Sequence, residues 1–252
     1  MAHIDVRDLR MQHGERLIQE HVSFSVAPGR IFAVMGGSGC GKSTLLRHMV
    51  GLQEPAAGDV FVDGRGYWGE MDADDKQATR QRFGMLFQKG ALWSTLSVAQ
   101  NVHVPLELHW RDRDEAERAQ RVRNVLDWVG LAELADAPVH GLSGGQVKRA
   151  GLARAIVAEP EVIFLDEPSA GLDPVTSLRL DDLILSVRDR TGASVVLVSH
   201  ERDSLFRIAD DGIFLDAESR RPLAQGRPAD MQHDASLPLA VRNFLQRKDE
   251  QA

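Results

Sequence analysis

The run Gly36-Gly37-Ser38-Gly39-Cys40-Gly41-Lys42-Ser43-Thr44 contains a glycine, four further residues and then Gly-Lys-Ser, the spacing of a phosphate loop. Its chemistry follows from backbone freedom. Gly36, Gly39 and Gly41 can take dihedral angles closed to other residues, so successive N–H groups turn inward around phosphate oxygens. A helix opening directly behind the loop adds the positive end of its dipole. Lys42 supplies a full charge for the β- and γ-phosphates of a nucleotide. Ser43 supplies a hydroxyl for Mg²⁺, a hard ion that takes phosphate oxygens among its ligands. Cys40, the single cysteine, reads as a small filler whose backbone matters more than its thiol. Its place in the loop nevertheless predicts that a thiol reagent there inhibits and that MgATP protects.

A second constellation lies in Val162-Ile163-Phe164-Leu165-Asp166-Glu167. Four apolar residues predict a buried strand, and two carboxylates emerge at its end. Asp166 suits the Mg²⁺ shell. Glu167, beside the metal but not consumed by it, suits the general base that polarises an attacking water.

These groups need a scaffold, and composition bounds its kind. The 252 residues, 43% hydrophobic, suit one nucleotide-binding domain over 1–252 with a smaller subdomain grafted on it. Asp and Glu number 37 against 30 Lys and Arg, a formal net charge of −7 that argues against a nucleic-acid partner. No apolar run approaches the ~20 residues that cross a bilayer, and residues 1–10 have neither the core nor the cleavage site of a secretory signal. One cysteine builds no internal disulfide, which fits a reducing compartment. The expectation is therefore a cytoplasmic protein.

Residues 3–35 alternate apolar and polar positions around Ala27-Pro28-Gly29 and finish in the buried run Ile31–Met35, so strands lead into the loop. A helix is expected from Lys42 to Val50, then a short strand from Asp59 to Val62. Ala116, Ala119, Val122, Leu126 and Val129 recur at helical spacing between Asp112 and Gly130, with Asp112 and Glu115 placed like a capping box. Strand-like runs at Phe83–Phe87, Val162–Leu165 and Ser194–Val198 alternate with helical stretches, the pattern of a parallel sheet flanked by helices. From Ser236, a plausible cap, Leu237, Val241, Phe244 and Leu245 share one helical face.

The passage Leu142-Ser143-Gly144-Gly145-Gln146, running on to Ile156 and the Asp166-Glu167 strand, resembles the signature motif and following helix of ATP-binding-cassette (ABC) ATPases. The physical reading of Ser143 is a helix cap with free N–H groups suited to an anion, and a cap alone leaves Gly-Gly-Gln unexplained. Three pieces fall in the family's order: Gln88, the stretch Ala170–Asp173, and His200. The resemblance implies an α/β fold: a P-loop NTPase core of parallel sheet with flanking helices, an N-terminal antiparallel β-subdomain, and an α-helical subdomain inserted at about 88–160. It also implies a homodimeric ATPase in which Ser143 to Gln146 meet the γ-phosphate held by the opposite protomer and Asp173 crosses the interface. Gln88 is implied to sense Mg²⁺ and the membrane partner, and His200 to contact the γ-phosphate. The family stacks adenine on an aromatic upstream of the loop. Leu9 to Gly14 contains no Tyr, Phe or Trp, so His13 is the expected contact and Met11 the second.

Within the family, the stretch from Arg82 to Leu106 looks like the ATPase of Mla- and Mce-type phospholipid transporters, with Gln-x-Gly-Ala-Leu-Trp as its best mark. That resemblance implies an integral membrane permease, an Mce-domain substrate-binding protein, and a place on the cytoplasmic face of the inner membrane. Ala91, Leu92 and Trp93 would suit a socket for a permease helix, or ordinary core. The tail, about 222–252, would pack on its own domain; members of the branch imply instead a grip on the other protomer or on a small accessory subunit. The alternatives are the ATPase of a small-solute importer, for an amino acid for instance, and a soluble ABC ATPase.

Overall fold

Residues 2–246 are described by a computed structural model. The alternating pattern at the start forms a hairpin of β1 (Ile4–His13) and β2 (Arg16–Val26), burying Ile4, Val6 and Leu9 with Val22, Phe24 and Val26. Strand β3 (Ile31–Met35) is buried at all five positions and delivers the loop to α1 (Lys42–Met49). Strands β4 (Ala57–Val62) and β5 (Arg65–Gly66) return to the first hairpin, giving an antiparallel sheet in the order β2-β1-β4-β5.

Helix α2 (Ala73–Gln81) precedes β6 (Phe83–Leu86), which ends one residue before the expected Phe87. Helices α3 (Val98–His109), α4 (Glu115–Trp128) and α5 (Gly144–Ile156) then fill the interval before β7 (Val162–Asp166). This is the expected helical insertion. The α4 cap differs: Asp114, not Asp112, accepts from the Glu117 N–H at 2.7 Å. With the helix starting later, Ala116 is exposed and Val125 joins Val122 and Leu126 in the core.

Helix α6 (Pro174–Thr191), β8 (Ser194–Val198) and α7 (Arg202–Ile208) lead to the antiparallel edge pair β9 (Asp211–Leu215) and β10 (Pro222–Gln225). The main sheet runs β10-β9-β3-β8-β7-β6, parallel except for β10. Residues 222–225 are thus sheet, not the start of a tail. The short α8 (Pro228–Met231) precedes α9 (Leu239–Gln246). Ser236 caps neither; its N–H and hydroxyl bond to Asp234.

Two cores hold these layers. One lies between the two sheets and takes Leu45, Leu46 and Met49 of α1. The other joins the helices to the opposite face of the main sheet and includes Val241 and Leu245 of α9, with Phe244 edge-on to Phe214 at 5.2 Å. The α9 face therefore packs on its own domain, and the extension beyond Gln246 lies outside the described residues.

Candidate active site

In a parallel sheet the C-terminal strand ends open on one edge, and here three adjacent strands bring their following residues together there. The loop follows β3, Asp166 and Glu167 follow β7, and Ser199 and His200 follow β8. A cleft of about 1510 Å³ lies over this edge. It is lined by Gly36 to Gly39, Gly41 to Thr44, Gln88, Glu167 and His200, together with His13.

Gly36 (φ 144°), Gly39 (φ 76°) and Gly41 (φ 104°) hold conformations that side-chain-bearing residues rarely adopt. A Cβ at Gly36 would also lie 2.3 Å from the Leu215 carbonyl oxygen. Helix α1 has no side-chain cap at its N-terminus, so its first amides remain available to an anion. Lys42 Nζ donates to the Gly36 and Gly37 carbonyls at 2.8 and 3.0 Å, folding the ammonium back over the loop. Ser43 Oγ donates to Asp166 Oδ1 at 3.1 Å. Burial pushes the Asp166 carboxyl above its usual range, the Ser43 hydroxyl pulls it back, and the neighbouring Glu167 charge adds to burial. A carboxylate short of positive charge beside a hydroxyl and a nest of amides fits Mg²⁺ carried in with phosphate oxygens.

Glu167 is nearly buried and has φ 49°, a strained value for a residue with a long side chain. Its Oε2 lies 2.8 Å from His200 Nδ1 and 3.4 Å from the His200 N–H. The pair joins the ends of β7 and β8. Glu167 is thus presented at the cleft with its Oε2 held by His200.

Some expected residues stand elsewhere. The Cys40 thiol is 1% exposed, and burial pushes its pKa up. Alone among residues 36–44, Cys40 does not line the cleft, so ready attack by a thiol reagent on the folded chain is no longer expected. Met11 is wholly buried, packed beneath Gly41, which removes it as a base contact. His13, exposed at the hairpin turn, stays on the cleft.

Ser143, Gly144, Gly145, Gln146 and Asp173 do not line the cleft of their own chain. Ser143 caps α5 and exchanges hydrogen bonds with Gln146, whose N–H donates at 3.3 Å and whose Oε1 accepts from the Ser143 N–H at 2.7 Å. A Cβ on Gly145 would lie 2.7 Å from Thr176. Local structure therefore accounts for Gln146 and Gly145 and corrects the expectation that a cap leaves them unexplained. Asp173 caps α6, accepting from the Val175 and Thr176 N–H groups at 3.1 and 3.0 Å.

Sequence reasoning missed Lys148. Its ammonium, in the interior of the molecule, donates to the Gln88 carbonyl at 2.5 Å and the Glu167 carbonyl at 2.7 Å, tying α5 to both. Burial lowers its pKa, against the Glu167 and Asp166 charges. The signal was its position four residues before Leu152 on the apolar face of α5. Also missed were Asp216, Ala217 and Arg220 of the β9–β10 turn and Asn243 of α9, all on the cleft.

The family model described as ABC transporter matches residues 19–170. A methionine import ATP-binding protein, MetN, of Brucella abortus is 36% identical over 99% of this chain and 70% of its own length. The MetN of Caulobacter vibrioides is 42% identical over 78% of this chain, which spans 58% of that protein. Among solved structures, cbiO1 of Clostridium perfringens, part of a transporter complex, superposes with a TM-score of 0.81 at 29% identity, covering 90% of this chain and 89% of that one. The cassette MJ0796, dimeric in a post-hydrolysis state with ADP and Pi, gives 0.79 at 27% identity, covering 89% and 98%.

The two MetN relatives are methionine import ATP-binding proteins and do not support the Mla and Mce reading of Arg82 to Leu106. The structure supplies a physical reason. Phe83, Met85, Phe87, Ala91, Trp93 and Leu108 line a surface groove, so the apolar character of the passage suits the docking of a helix from any partner and carries no information about cargo.

Proposed function

This chain belongs to the ABC transporter family, and we propose on that premise that it is the nucleotide-binding subunit of an importer for a small solute of the amino-acid kind. It is an ATPase, with ATP and Mg²⁺ as its cofactors. The observation that carries the reading is the meeting of phosphate loop, Glu167 and His200 at one cleft, with Asp166 bonded to Ser43 of its wall.

Lys42 exchanges its two carbonyl partners for phosphate oxygens while the loop amides and the α1 N-terminus surround the β-phosphate. Ser43 and Asp166, already in contact, would hold Mg²⁺ together with Gln88, and the ion bound there would offset phosphate charge. Glu167 takes the proton of the attacking water. His200 Nδ1 fixes the carboxylate orientation through Oε2. His13 faces the base. Ser143 to Gln146 and Asp173 act on the nucleotide of a second copy, which makes the working unit a homodimer.

Among the described residues no helix is long and apolar enough to cross a membrane. The chain would sit on the cytoplasmic face through a permease seated in the groove beside Trp93, which is 50% exposed. The amino-acid reading is supported by the methionine importers. A phospholipid cargo with an Mce-domain partner rests on the resemblance of residues 82–106, 36–49 and 203–210 to that branch, which the relatives do not support. The test is to purify the tagged chain from gently solubilised native membranes and identify what accompanies it. A permease with a solute-binding protein is the expected result. An Mce-domain protein with phospholipid would overturn the importer reading, and no membrane partner would leave a soluble ATPase.

A further inference from the structure

Gln19 of β2 is turned into the core, where an aliphatic side chain would ordinarily pack. Val22, Phe24 and Val26 point inward, and strict alternation would continue to Glu20. Instead His21 takes φ 57°, and the pairing slips between Leu9–Val22 and Met11–Gln19. The irregularity moves the inward position by one residue and buries Gln19 completely.

Its amide nitrogen donates twice, to the Cys40 carbonyl at 2.9 Å and to the Asp216 carbonyl at 2.7 Å. Its Oε1 is buried without a hydrogen-bond partner. An unmatched buried acceptor is costly, and an apolar residue of the same length would avoid that cost. What such a residue could not do is join those two carbonyls. They belong to two segments that wall the cleft: Cys40 to the phosphate loop, whose other residues line it, and Asp216 to the turn whose Asp216, Ala217 and Arg220 face the same space. The next residue grips the same turn. The Glu20 N–H donates to the Arg220 carbonyl at 3.0 Å, and its carboxylate pairs with Arg221 at 2.6 Å.

We propose that Gln19 is a positioning residue for nucleotide binding, which sets the phosphate loop against the 216–221 turn by holding one backbone carbonyl of each. The proposal rests on the nucleotide reading of the cleft. Glu167 and His200 stand on the ends of β7 and β8, so the clamp acts on binding and leaves the hydrolytic step alone.

Two readouts test it. Gln19→Met keeps the length and loses both donors; Gln19→Glu keeps the shape and sets a carboxylate against two carbonyls. In the full chain with its native partners, Gln19→Met should raise the KM for ATP about ten-fold with kcat nearly unchanged, the scale of two lost hydrogen bonds. Gln19→Glu should raise it further. The second readout needs no turnover: in nucleotide-free protein, the thiol of Cys40 should react with an aromatic disulfide reagent several-fold faster in both variants than in the parent. Val125→Ala, which loosens the core under α4 away from the cleft, serves as the control for general destabilisation. An unchanged KM, or Cys40 labelling no faster than in Val125→Ala, would overturn the proposal. If neither variant folds, Gln19→Asn, which keeps the amide but shortens its reach, must show the same rise in KM and in labelling. A parent protein without ATP turnover would sink the nucleotide reading itself, while the labelling comparison would still report on the clamp.

Discussion

The cleft edge of the main sheet and the exposed ends of α5 and α6 both carry residues of the expected site, but they are finished to different degrees. At the cleft, groups from separate elements bond to one another: Ser43 to Asp166, His200 to Glu167, and Lys148 to the Gln88 and Glu167 carbonyls. At the helix ends, among the described residues, Ser143 bonds only to Gln146 and Val147 of its own helix, and Asp173 only to the start of its own. The first region is a site within one chain. The second is a pair of well-capped helix N-termini, whose chemistry toward a phosphate requires a surface that this chain does not bring to them.

The largest effect should fall in the cleft. Glu167→Gln removes the base but keeps the shape and the contact to His200, so turnover should drop by about 10²–10⁴-fold with ATP binding retained. Steady-state phosphate release and equilibrium nucleotide binding measure the two quantities. Full activity in this variant would remove Glu167 from the mechanism.

The comparison itself can be broken by mixing. Ser143→Arg should be inactive if the α5 end faces a nucleotide on a second copy, and so should Glu167→Gln. A mixed dimer of the two has one site in which an intact cleft meets an intact α5 end. Random pairing makes half the dimers mixed, so activity should return to roughly a quarter of the parent value. No recovery in a mixture shown to exchange subunits would mean that each chain works alone.

What could be read from sequence follows the same division. The phosphate loop and the Asp166-Glu167 strand were legible because their chemistry is contiguous: glycine spacing sets the amide nest, and four apolar residues set the buried strand. Helix α4 and the parallel sheet were legible from periodicity, whereas the helical insertion as a whole was implied by the family resemblance. Contacts between distant segments were not. Nothing in the spacing of residues 19, 40 and 216 announces that one amide joins them, because a left-handed residue at His21 shifts the strand by one. The burial of Met11 and of the Cys40 thiol depends on how tightly α1 and its loop lie on the first hairpin. Residues 222–225 were assigned to the tail because a four-residue edge strand has too little pattern to see.

A smaller effect should appear at the joint between the two regions. Asp181 of α6 is buried against Ser204 of α7, whose hydroxyl lies 2.8 and 2.9 Å from the two carboxyl oxygens and has only one proton to give. Burial pushes the Asp181 carboxyl up to about 6, with the Ser204 hydrogen bond and then Arg207 opposing and the Asp182 and Asp203 charges assisting. Because the folded value lies above that of the unfolded chain, the native state keeps a proton that the unfolded state releases between about pH 4 and 6. Stability from this group is therefore full below that window and lost as pH rises through it, a change on the order of 3 kcal/mol. Asp181→Asn should raise the Tm at pH 8 and make little difference near pH 4. A Tm difference that is the same at both pH values would contradict this account.

The smallest effect separates the two roles of Ser143. As a cap it accepts from the Gln146 N–H, and Ser143→Ala should cost about 1 kcal/mol of stability. Ser143→Asp keeps the capping acceptor and favours the helix dipole, so stability should be held or slightly raised, while a negative charge is set where a phosphate of the second copy is expected. If the α5 end is only a cap, the Asp variant should be as active as the parent, and chemical denaturation and ATP turnover should move together across both substitutions. If it faces a nucleotide, the Asp variant should be stable and nearly inactive, a separation that no purely structural role for Ser143 can produce.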